Sequence, residues 1–323
     1  MEKLQIGSAV AEPGSRAHGY LDVASYNDGL PVQTPVIIVH GAKPGPKLWA
    51  QGCIHGDEFC GTLGILKICR ELDPAKMAGS FIGLPALNIT AFRSSQRFSP
   101  YSYFGVPDLN RVFPGKANGN FNEIMASNIF ETVQKQADFM IDFHCGHNAE
   151  TRWTLYNEDG SEEAKKSMEL AKAFGIEIIY PCDYPVLQNA MFTQASNKGI
   201  PGIIVESGGG GELATEEAVN TVAEGLANML KYVGVLEEPC QLKDQYIILK
   251  AWDWMLAPHG GRFAPTVKIN DTIEKDQIIA RVYTLFDEEL EPIRSPLNGL
   301  VLTVNKKPFV SAGDSIFQMG TPA

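Results

Sequence analysis

Between about residue 34 and residue 235, short apolar runs alternate with longer amphipathic stretches, and this alternation constrains the fold more than any other feature of the chain. Segments 35–40, 48–53, 81–87, 139–144, 176–180 and 202–206 read as buried strands. Segments 58–72, 122–135, 162–174 and 215–232 carry apolar residues at helical spacing. Such an order predicts an α/β sheet covered by helices. Residues 88–120 fit neither period, being rich in Ser, Arg, Pro, Gly and Asn, and an irregular stretch of that length inside a compact domain tends to be functional. After Glu237-Glu238-Pro239 the helical period stops, and short strand-like runs with Gly, Pro and Asn turns continue to the end. We expect an α/β domain over 1–238 and an all-β domain over 239–323, which a chain of 323 residues with 44% hydrophobic content has the core to support.

The second part contains an internal repeat: Pro258, Gly261, Asp276 and Ile278 recur 38 positions later as Pro296, Gly299, Asp314 and Ile316. Two related hairpin units of that size suggest a small barrel or flattened sandwich. The repeat resembles the biotinyl/lipoyl-type barrel, but the hairpin that would hold the carrier lysine reads Thr284-Leu285-Phe286-Asp287-Glu288-Glu289. The expected fold is therefore a barrel without a prosthetic group, serving as a structural appendage or a surface for self-association.

With 27 basic and 38 acidic residues, a formal charge of −11, the chain repels phosphate backbones and anionic membranes, which argues against nucleic-acid and membrane partners. The start, MEKLQIGSAVAEPGSRAHG, has no apolar core of signal-peptide length, and no run of 18 apolar residues occurs, so a cytoplasmic location is expected. The cysteines, Cys53, Cys60, Cys69, Cys145, Cys182 and Cys240, include no CxxC pair, against both a thiolate zinc cluster and a disulfide framework.

Chemistry first shows in His55-Gly56-Asp57-Glu58, where a strand ends and a helical pattern begins. Residues three apart at a helix start face the same way, and imidazole with carboxylate suits Zn²⁺. An isolated HxxE is common by chance, but Asp138-Phe139-Met140-Ile141-Asp142-Phe143-His144 adds an apolar strand finishing in a histidine. Ligands of open α/β sheets gather at the carboxyl ends of strands. His55, Glu58 and His144 thus make the His₂Glu set of a catalytic zinc site, with one coordination position left for water. His147 competes as a ligand, yet in an extended chain it faces away from His144. Asp142 shares the His144 face and reads either as a hydrogen-bond acceptor for the ligand imidazole or as a capping aspartate. His40 closes a separate strand and reads as structural.

In Asp108-Leu109-Asn110-Arg111, the planar guanidinium of Arg111 with the amide of Asn110 suits a substrate carboxylate, although a solvated surface turn is an equal reading of the tetrapeptide alone. Arg97 is a second candidate, for the substrate or for polarising the scissile carbonyl. Segment 203–211 is a buried-strand pattern ending in Glu206, Ser207 and four glycines. A carboxylate there is partly desolvated, which raises its pKa and suits it to pass protons. A phosphate-binding loop is disfavoured, since no Lys-Ser/Thr follows and Glu212 would repel phosphate.

Taken in order, HGDE, DLNR-x-FPG, DFH and ESG resemble the succinylglutamate desuccinylase/aspartoacylase family over roughly residues 35–235. The resemblance implies a zinc carboxypeptidase-like fold, a mixed sheet with helices on both faces. It further implies one zinc per chain on His55, Glu58 and His144, a substrate carboxylate on Asn110 and Arg111, Glu206 as general base and then acid, and Arg97 as the other active-site arginine. Cys145 stands where many relatives carry Thr. The implied reaction is hydrolysis of the amide bond of a small N-acyl amino acid carrying a carboxylate. A metallocarboxypeptidase and a non-catalytic binding protein are the alternatives. Specificity is expected in segments 90–110, 147–160 and 180–195, with Tyr184 and Arg152 named as candidates; a homo-oligomer is left open.

Overall fold

The computed structural model describes residues 2–209 and 214–323; Gly210, Gly211 and Glu212 of the glycine run lie outside the described residues. A twelve-stranded mixed sheet runs in the order Thr272–Ile273, Gly299–Asn305, Ser315–Pro322, Ile247–Leu256, Ile178–Cys182, Ala149–Asn157, Gly202–Gly209, Phe139–Gly146, Lys43–Gln51, Ala78–Leu84, Pro31–His40, Ser15–Ser25. Side-chain alternation along the central strands feeds two cores. Trp49, Met140 and Ile204 pack with helices Phe121–Gln136 and Met191–Ser196 on one face. Leu48, Ala50, Ile141, Phe143, Ile203 and Val205 pack with helices Phe59–Glu71, Glu162–Phe174 and Glu216–Tyr232 on the other. The expected α/β architecture with helices on both faces is present. Local signals start these helices: Asn120 and Glu123 form a reciprocal capping box, and the Ser161 and Thr215 side chains accept from the third backbone N–H. Among the described residues, no helix is long and apolar enough to cross a membrane.

The carboxyl-terminal strands continue this sheet. Ile247 and Ile248 pair in parallel with Ile178 and Ile179, while Thr303, Val304 and Asn305 pair with Thr151, Glu150 and Ala149. Strands Ala149–Asn157, Ile178–Cys182, Ile247–Leu256, Ser315–Pro322 and Gly299–Asn305 thereby close a circuit of hydrogen-bonded neighbours. A four-stranded sheet of Ile293–Arg294, Ile278–Tyr283, Gly261–Pro265 and Phe309–Val310 packs against it around Phe263, Ile279, Val301 and Phe317. The 38-residue repeat is realised as an exchange: Thr272–Ile273 of the first half pairs with Gly299–Asn305 of the second, and Phe309–Val310 pairs with Gly261–Pro265.

Strands Leu4–Ile6, Ala9–Ala11, Ser15–Ser25 and Ala149–Asn157, and short helices Ile89–Ser94 and Met191–Ser196, were not anticipated. Ser15–Ser25 lies at the sheet edge with Val23 as its buried residue, so it offers no apolar run to read.

Candidate metal centre and substrate cavity

Strand Lys43–Gln51 leads into a tight turn in which Cys53 takes φ of 50°, a left-handed conformation rare outside glycine. The turn brings His55 back over the sheet and leaves Glu58 as the residue preceding helix Phe59–Glu71. Gly56 lets the turn lie against helix Ile89–Ser94, since a Cβ there would come within 2.0 Å of the Ala91 carbonyl carbon. His144 arrives on strand Phe139–Gly146. All three side chains are buried, and their donor atoms converge: Nδ1 of His55 is 2.9 Å from Oε1 of Glu58, Nδ1 of His144 is 2.9 Å from Oε2, and the two Nδ1 atoms are 3.2 Å apart.

The donor set suits zinc. Bonds of about 2.0–2.1 Å in a tetrahedron set ligand atoms roughly 3.3 Å apart, close to the spacing of the two imidazole nitrogens. The far nitrogen of each ring is also held: Nε2 of His55 lies 3.1 Å from Asp108 Oδ1, and Nε2 of His144 lies 3.2 Å from Asp142 Oδ2. A carboxylate on the far side of a ligand histidine fixes its tautomer and ring angle. Burial works against ionised Glu58, but His55 and His144 outweigh it and keep the carboxyl well below its usual range. Burial likewise opposes a charge on His144, and Asp142 with Glu58 overcomes it, so the metal-free imidazole titrates above its ordinary value. Asp108 is held low against burial by His55, Arg97 and Arg111. Sequence reasoning left Asp108 without a role; its signal is the acid that opens DLNR, capping the turn Leu109–Arg111 by accepting from Asn110 N at 2.9 Å.

Glu206 lies beside this group, paired in register with His144 on one side and Trp153 on the other. Burial pushes its carboxyl up to about 7; His144 and His55 pull the other way and Glu58 adds to the rise. A cavity of about 370 Å³ opens over the three donors and Glu206, with Arg97 and Arg111 on its wall. Nη2 of Arg97 is 3.1 Å from Asp108 Oδ2 and its Nη1 3.4 Å from Glu58 Oε1, while Arg111 Nη1 donates to the Asn110 carbonyl at 2.8 Å. Asn110, expected to grip a substrate carboxylate, has both ends of its amide engaged within the protein. Its Oδ1 accepts from Met191 N at 2.9 Å, and Nδ2 lies 3.5 Å from Asp142 Oδ2, the oxygen that also receives His144 Nε2.

The opposite wall comes from the closed strand circuit: Thr151, Trp153 and Leu155, then Trp252, Trp254, Thr303 and Gln318. Those carboxyl-terminal residues were not named from the sequence. Arg152 is one residue out of phase and does not line the cavity, and Tyr184 meets Trp252 edge to face with centroids 6.0 Å apart. His147 sits at the cavity with Nδ1 2.7 Å from Asp57 Oδ2, outside the three-donor cluster. Cys145 is buried; its N–H donates to Glu58 Oε2 at 3.3 Å, and its side chain packs with Cys60. His40 bonds to Ser80 and the Glu2 carbonyl instead.

An α/β sheet thus carries two histidines, a glutamate and a perturbed carboxyl at one cavity, the composition of a hydrolase centre. The Succinylglutamate desuccinylase/Aspartoacylase catalytic domain matches residues 44–233, and the chain belongs to that family. It is 28% identical over 314 residues to the N-alpha-acetyl-L-2,4-diaminobutyric acid deacetylase of Halomonas elongata, covering 93% of this chain and 90% of the relative. Its fold is similar to the product-bound Ectoine utilization protein EutE (DoeB) from Ruegeria pomeroyi, with a TM-score of 0.84 at 23% identity over 98% of this chain and 99% of that one. A succinylglutamate desuccinylase from Silicibacter sp. TM1040 is as similar in fold, with a TM-score of 0.84 at 22% identity over 98% of each chain.

Proposed function

We propose that the protein is a zinc-dependent amidohydrolase that removes the acyl group from a small N-acyl amino acid, releasing a carboxylic acid and the free amino acid. The observation that carries this reading is the convergence of His55, Glu58 and His144 on one point, beside a carboxyl at about 7 and below two arginines. One zinc ion held by these donors would supply Lewis-acid polarisation of the acyl carbonyl and would make water a stronger acid. Glu206 takes the proton of the attacking water and later passes it to the leaving amine nitrogen, a role its raised pKa suits. Arg111 holds the carboxylate of the amino-acid part, and Arg97 faces the oxygen on which negative charge develops. Asn110 supports Asp142 through its side-chain amide and Arg111 through its carbonyl.

Trp252 and Trp254 line a cavity of about 370 Å³, a size that supports a small substrate over a peptide. The Halomonas relative makes an Nα-acetylated diamino acid the first compound to test. The six unpaired cysteines accord with a reducing cytoplasm. Metal analysis of the purified protein, with a panel of N-acetyl and N-succinyl amino acids and carboxyl-terminal peptides, tests the reading. Zinc near one per chain with release of acyl groups is expected; peptide cleavage with no deacylation would replace it with the carboxypeptidase reading.

A further inference from the structure

In the row of the sheet just below the metal ligands, Gln51 and Asp142 are register partners in the parallel pair formed by Lys43–Gln51 and Phe139–Gly146. Both are fully buried. Their outer neighbours in that row are Leu84 and Ile204, so each is the other's polar neighbour across the strands. Chemistry settles which way the Gln51 amide faces. Trp49 Nε1 can only donate, and it donates to Gln51 Oε1 at 2.9 Å, so Nε2 is turned away from the indole. Among the described residues that Nε2 has no protein partner. Asp142 Oδ2 receives His144 Nε2 at 3.2 Å and Asn110 Nδ2 at 3.5 Å, whereas its Oδ1 likewise has no protein partner among the described residues. An unmatched buried donor on the register neighbour of an unmatched buried acceptor is costly unless the two are joined, and a bridging water is one way to join them.

We propose that Gln51 is a positioning residue of the metal centre: its amide bonds through one water to Asp142 Oδ1 and so fixes the carboxylate that orients His144. A line of hydrogen bonds then runs from Trp49 through Gln51 and Asp142 to the ligand imidazole. Gln51 touches neither metal nor substrate, and its effect passes through Asp142. The inference rests on the reading of His144 as a zinc ligand.

The test is zinc affinity of the full chain, measured by chelator competition. Gln51→Leu should bind zinc about tenfold more weakly than wild type, as losses behind a ligand histidine do. Gln51→Glu keeps the acceptor for Trp49 but loses the donor. An added negative charge alone would tighten a cation, so weakening in this variant reports the lost bond to Asp142. Trp49→Phe, which removes only the far end of the line, should stay within about twofold of wild type, and Gln51→Leu placed on Asp142→Asn should add less than about twofold. Thermal unfolding of the zinc-free variants follows the fold separately. Unchanged affinity in both Gln51 variants, or a full tenfold loss persisting on Asp142→Asn, overturns the proposal. Wild type that binds no zinc overturns instead the metal reading beneath it.

Discussion

Trp153 is the direct cross-strand partner of Glu206 in the antiparallel pair of strands Ala149–Asn157 and Gly202–Gly209. The indole is 2% exposed, so it keeps water from that flank of the carboxyl, and burial is the main reason the group titrates near 7. A general base works ionised, so activity is lost as pH falls through its pKa. A bound divalent cation lowers that pKa, placing the acid limb of kcat/KM below about 7. Trp153→Ala admits water and should move the limb to still lower pH. A pH–rate profile checks this; an acid limb that stays in place in the variant would separate Trp153 from the tuning of Glu206.

Glu206→Gln keeps the shape of the side chain and removes the proton carrier. Turnover should fall by about 10²- to 10⁴-fold while zinc stoichiometry is unchanged. Single-turnover assays with metal analysis of the same sample read both quantities, and near-normal turnover would exclude Glu206 from the reaction.

Asp108 holds the far nitrogen of His55 at 3.1 Å and also anchors Arg97. Asp108→Asn should therefore weaken zinc by roughly 10- to 100-fold. It should also raise KM by freeing Arg97, so the variant stays impaired when zinc is saturating. Full recovery of KM in excess zinc would limit Asp108 to the histidine.

Arg111→Lys replaces a planar fork with a point charge. Loss of one charged hydrogen bond corresponds to about 1.5–3 kcal/mol, or roughly 10- to 150-fold in kcat/KM, carried mainly by KM. A substrate analogue without the carboxylate should show no difference between the two proteins.

Gly56→Ala drives a methyl group into the backbone of Ala91. The turn that presents His55 and Glu58 has to shift, so zinc should be lost while the far-ultraviolet circular dichroism stays close to wild type. Stoichiometric zinc in this variant would show that the turn has room to adjust.

The grouping of His55, Glu58 and His144 was legible because apolar runs plain in the sequence lead up to it: 48–53 before the turn that carries His55 and Glu58, and 139–144 ending in His144. Asp108 was not assigned to His55 because 53 positions separate them and nothing local ties the two. Asn110 was read by its side-chain chemistry alone, and its amide also contacts Met191 N and Asp142, contacts that depend on tertiary packing. The far wall was invisible for a related reason. Trp252 and Gln318 reach the cavity only because Ile247–Leu256 joins Ile178–Cys182 on one side and Ser315–Pro322 on the other, pairings between segments far apart in the chain.

Strand Ser315–Pro322 fills the position between Gly299–Asn305 and Ile247–Leu256. His55, Glu58 and His144 all precede these strands in chain order, so the cluster is encoded well ahead of the chamber it opens into. Without Ser315–Pro322 the ring of strands is broken and Gln318 is missing from the wall, so a chain truncated before Ser315 should take up metal but handle its substrate poorly.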